Sequence, residues 1–91
     1  MAVTVRVPTQ LRSLSDGASE VAVEGATVGQ VLAALDAYHP GFRARLFDDE
    51  GQLRRFVNVF VADEDVRFMK GLDTEVPAGS TVSIIPAVAG G

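Results

Sequence analysis

Cysteine and tryptophan are absent from this 91-residue chain, and histidine occurs once. Without cysteine there is no disulfide scaffold, no thiolate metal site and no cysteine nucleophile. One histidine is too few for the usual imidazole zinc sites and points away from a histidine-based triad. Positive charge is also scarce: 8 Lys and Arg against 12 Asp and Glu leave a formal net charge of −4. That balance argues against nucleic acid and against anionic membrane surfaces as partners. No apolar run approaches the roughly 20 residues that span a bilayer. The opening MAVTVRVP lacks the basic-then-apolar order of a secretory signal. The expectation is a cytoplasmic protein with few groups able to do chemistry. Its 47% hydrophobic content argues against disorder, and its length against more than one domain.

What the chain does have is clear patterning. Val3, Val5 and Val7 alternate with Thr4 and Arg6, which predicts a half-buried strand ended by Pro8. A polar stretch from Thr9 to Gly17 follows, closed by the turn residues Ser15-Asp16-Gly17. Val21 and Val23 mark a second strand, expected to form a hairpin with the first. Val28, Val31, Leu32, Leu35 and Tyr38 then recur at helical spacing, the one strong helix signal. Thr27 and Gln30 make a capping-box pair at its start, and Pro40-Gly41 ends it. Periodicity fades from Gly41 to Arg55, where Phe42, Leu46 and Phe47 suit a short helical turn. Val57, Val59 and Val61 define a further strand. Val66-Arg67-Phe68 reads as a short return strand, and Thr81 to Ile85 as the last, stopped by Pro86. One helix covering one face of one sheet is an α+β two-layer design.

Few side chains invite a chemical role. His39, at the helix end, suits the negative end of the helix dipole better than catalysis. Asp48-Asp49-Glu50 and Asp63-Glu64-Asp65 match no calcium loop and read as solvated turns. Arg43, Arg45, Arg54 and Arg55 make the middle of the chain locally basic, without the wider basic surface that nucleic acid needs. Phe56 and Phe60 alternate with the valines of their strand, so they face away from the helix. Two readings stand for them: an exposed protein interface beside Ile85 and Arg6, or a small second core under a loop.

Gly90-Gly91, after Pro86 and the small or apolar Ala87, Val88 and Ala89, is the most informative feature. A frayed end is one explanation. The other is an arm without bulky side chains that threads a narrow channel and presents a carboxylate to another protein's active site.

Pro86-Ala87-Val88-Ala89-Gly90-Gly91 resembles the P-x-V-x-G-G ending of the ubiquitin-like sulfur-carrier proteins, the β-grasp family serving cysteine, thiamin, molybdopterin and thiosugar biosynthesis. Pro77 to Val82, the block Phe56-Val57-Asn58-Val59, the block Asp63 to Phe68, and the opening Val3 to Arg12 are similar as well. These blocks look most like the actinobacterial members that supply sulfide for cysteine.

The resemblance implies a β-grasp fold: a mixed sheet of four to five strands with one main helix packed on one face. A domain of residues 1–85 would carry a flexible tail of 86–91. An E1-like enzyme would adenylate the Gly91 carboxylate with ATP, and a sulfur donor would displace AMP to leave a thiocarboxylate. No cofactor would be bound by the chain itself. The sulfur would pass to a pyridoxal-phosphate-dependent cysteine synthase-like enzyme, or to a thiosugar or thiazole synthase. In the cysteine branch a zinc peptidase would regenerate the tail. Gly91 would carry the sulfur, while Gly90, Ala89, Val88, Ala87 and Pro86 enter the partner. Phe60, Ile85 and Arg6 would form the docking face. Three other functions remain open: a modifier joined to lysines through Gly91, a non-catalytic synthase subunit, and a binding domain with an idle tail.

Overall fold

A computed structural model describes residues 2–55 and 57–86. Five strands and two α-helices follow the order β1 (Ala2–Arg6), β2 (Glu20–Glu24), α1 (Val28–Tyr38), α2 (Phe42–Leu46), β3 (Val57–Val61), β4 (Glu64–Asp65) and β5 (Thr81–Pro86). The strands form one sheet in the order β2-β1-β5-β3-β4. Only the central β1–β5 pair is parallel; the other neighbours are antiparallel. This mixed sheet with one main helix is the β-grasp arrangement that the resemblance implies.

Alternation decides which side of each strand is buried. Val3, Val5, Val23, Val57, Val59, Val61, Val82 and Ile84 all turn inward. Helix α1 supplies Val28, Val31, Leu32 and Leu35 to the same core, each wholly buried. Full burial of such a side chain contributes about 1.5–3 kcal/mol, so the helix is held by packing more than by propensity. Phe42 and Leu46 of α2 close one end of the core, as the short helical turn expected there.

The start of α1 is fixed from three directions. The Gln30 N–H donates to Thr27 Oγ1 at 3.3 Å, the expected cap. The Gln30 side chain reaches back one residue further than in a standard capping box and accepts from the Ala26 N–H at 2.9 Å. The Val28 N–H donates to the Thr74 carbonyl, and the Val76 N–H to the Ala26 carbonyl, strapping the segment before β5 onto the helix. The chain enters α1 so tightly that a Cβ at Gly25 would lie 2.8 Å from the Val31 backbone nitrogen.

Two expectations change. The return strand is Glu64–Asp65, two residues earlier than Val66-Arg67-Phe68, which form a 3-10 turn instead. Asp65 accepts from the Arg67 N–H at 2.8 Å and caps that turn, while Val66 rolls into the core. Ala62 and Asp63 take the left-handed backbone needed for the tight β3–β4 reversal. The polar stretch after β1 is also ordered, as a 3-10 helix over Thr9–Ser15 with Leu11 buried. Among the described residues, no helix is long and apolar enough to cross a membrane.

Candidate functional site

The face of the sheet away from α1 carries the residues left over by the same alternation. Register places Arg6 beside Ser83 and Ser83 beside Phe60, so the three stand in one row across β1, β5 and β3. Glu20 continues the row beyond Arg6, and Asp65 beyond Phe60. The next row holds Asn58 opposite Ile85. The expected docking residues Phe60, Ile85 and Arg6 therefore share one face. Ile85 is 49% exposed, and Arg6 is exposed. Phe60 is half-buried, between the two readings offered for it. Phe56 lies outside the described residues.

Pro86 is the last residue of β5, opposite Val57. The rest of the expected arm, Ala87, Val88, Ala89, Gly90 and Gly91, lies outside the described residues. Where β5 ends, the surface is concave. A hollow of about 540 Å³ is lined by Arg6, Gln10, Arg12, Ser83, Ile85 and Pro86, among others. Arg12 is tied into its wall, with Nε donating to the Val7 carbonyl at 3.1 Å. The hollow is open and polar, suited to contact with a protein surface more than to enclosing a small molecule.

The remaining candidates have structural duties. The His39 backbone N–H donates to the Leu35 carbonyl at the end of α1, and its ring meets Phe42 edge-on with centroids 6.5 Å apart. Asp48 accepts from the Glu50 and Gln52 backbone N–H groups, which makes its acidic cluster a capped turn. Arg54 Nε donates to the Ala44 carbonyl. Among the described residues, no group of three or more His, Asp or Glu side chains is placed to hold a metal ion. Asn58 and Ser83 belong to the open face too, beside the residues the resemblance points to. The alternation of β3 and β5 carries the signal for both.

Known proteins share this architecture over its full length. The ThiS family model matches residues 5–91. The sulfur carrier protein CysO of Mycobacterium tuberculosis is 48% identical over 93 residues, covering all of both chains. In a crystal structure of the Amycolatopsis orientalis BexX/CysO complex, a chain that is 50% identical superposes with a TM-score of 0.93, covering 99% of this chain and 100% of that one. The crystal structure of Haloferax volcanii small archaeal modifier protein 1 is 29% identical with a TM-score of 0.82, covering 96% of this chain and 98% of that one.

Proposed function

Because the chain belongs to the ThiS family, we propose that it is a sulfur carrier working through the carboxylate of Gly91. It is not an enzyme: acid, base, nucleotide and metal are supplied by its partners. The observation that carries the reading is the full-length similarity to a sulfur carrier, with the Pro86-to-Gly91 segment inside the family match.

The chemistry follows from the weakness of a carboxylate as an electrophile. A Gly91 carboxylate oxygen attacks the α-phosphorus of ATP on an E1-like enzyme, and pyrophosphate leaves. The acyl adenylate is electrophilic at carbon, so a sulfide equivalent displaces AMP and leaves a thiocarboxylate. Its sulfur is then the nucleophile in an accepting enzyme, with cysteine formation the favoured branch and thiosugar, thiazole or molybdopterin synthesis the others. The chain contributes position. The five residues after Pro86 reach at most about 18 Å when extended, and none has a side chain larger than valine. A sulfur atom on such a tether reaches a high effective concentration in a channel too narrow for the folded domain. The open face, with Ile85 and Arg6 beside the root of the arm, would dock against the partner. The reading implies work alongside cytoplasmic biosynthetic enzymes.

Intact mass spectrometry tests this. After incubation with ATP, a sulfide source and extract of the native organism, the chain should gain the mass of sulfur replacing oxygen, localised to Gly91. Deleting Gly91 should abolish the gain and leave the thermal midpoint unchanged. No gain, in an extract competent on another carrier, would overturn the reading. The similarity to a small archaeal modifier protein supports a second reading, conjugation to lysines through Gly91. A lysine isopeptide recovered from the same extract would favour it.

A further inference from the structure

The last described residues of β5 pair with a stretch of β3 braced by a residue that plays no part in the scheme above. The Ala62 N–H donates to the Thr81 carbonyl at 3.3 Å, which sets the phase of the antiparallel β3–β5 ladder. Hydrogen-bonded pairs alternate with non-bonded ones. Phe60–Ser83 and Asn58–Ile85 are therefore the bonded pairs. Val57 and Pro86 form the next pair, a non-bonded one in which the Val57 N–H turns away from β5 to the Arg54 carbonyl at 3.0 Å. Among the described residues, the Asn58–Ile85 pair is thus the last bonded attachment of β5 to β3.

Arg67, in the 3-10 turn after β4, is fastened to this attachment. Its Nη1 donates to Asn58 Oδ1 at 2.9 Å. Its Nη2 donates to the carbonyls of Arg54 and Val57 at 2.7 and 2.8 Å. Its backbone N–H is held by Asp65. One planar cation joins the turn, the start of β3 and the side chain of Asn58. Only an arginine has the fork of donors to make all these contacts, since a lysine is a point charge on a flexible stem.

We propose that Arg67 is a positioning residue that fixes the root of the C-terminal arm. By holding Asn58 and Val57, it holds the residues opposite Ile85 and Pro86, and so the end of β5 to which the arm is joined. The proposal rests on the sulfur-carrier reading for its consequence. A loose root spreads Gly91 over a larger volume and lowers its effective concentration at the activating site.

The test uses the full chain with Arg67→Ala and Arg67→Lys. Backbone amide exchange should quicken about tenfold at Asn58 and Ile85 in Arg67→Ala, with the amides of Val5 and Leu32 unchanged. Sulfur loading by the activating enzyme should lose about threefold to tenfold in kcat/KM, mostly through KM, because the arm must then be ordered on binding. Arg67→Lys should fall between. Unchanged exchange at Asn58 and Ile85 would overturn the proposal. So would an equal rise at every amide, the mark of a merely structural residue, or raised exchange with unaltered loading. If the wild-type chain takes up no sulfur, the carrier reading falls, and exchange alone decides whether Arg67 holds the root.

Discussion

The covered and open faces of the sheet are made from alternate residues of the same strands. On the covered face Val59, Val82 and Ile84 pack against one another and against α1 with almost no exposure. One residue along, Asn58, Ser83 and Ile85 face outward, with Ile85 half in water. Covered positions are chosen by volume and shape, because interiors pack to crystal-like density. Open positions are free of that demand, so polar, aliphatic and aromatic residues can stand side by side there. The division suits the proposed carrier role, in which the core keeps the handle folded and the other face would meet partners.

The largest stability effect should come from the covered face. Leu32→Ala removes a wholly buried side chain and should destabilise by about 2–5 kcal/mol in denaturant titration. Gly25→Ala should cost about 1–3 kcal/mol, because its Cβ would meet backbone that cannot move without shifting the start of α1. Ile85→Glu, on the open face, should change stability by less than about 1 kcal/mol. It should nevertheless raise the KM for sulfur loading about tenfold, as a lost interface anchor does. Loading kinetics measured beside unfolding curves would check the reversal. An Ile85→Glu protein that loads normally would remove the open face from the docking model.

Much of this could be read along the chain, since each strand is an alternation of period two and α1 a recurrence of period 3.6. Val57, Val59 and Val61 were assigned to one face and Phe60 to the other, and the register agrees. Placing the return strand over Val66-Arg67-Phe68 failed because Val66 followed by charged and aromatic residues suits either a strand or a turn. The choice lies with Asp65, whose carboxylate caps the Arg67 N–H and closes a 3-10 turn. The bracing role of Arg67 had no local signal at all. Its acceptors at Arg54, Val57 and Asn58 lie 9–13 residues away in sequence.

By itself, then, the sequence determined the four longer strands, the main helix, and which side of each of those strands faces the core. These depend on neighbours within a few residues, where backbone geometry and side-chain periodicity act directly. Tertiary structure alone decided that β1 and β5 run parallel at the centre of the sheet. It also lined up Arg6, Ser83 and Phe60 in one row, and it set Arg67 on β3, the strand paired with the end of β5. Each of these depends on which strand lies next to which, and that is settled by burying both layers of the core together.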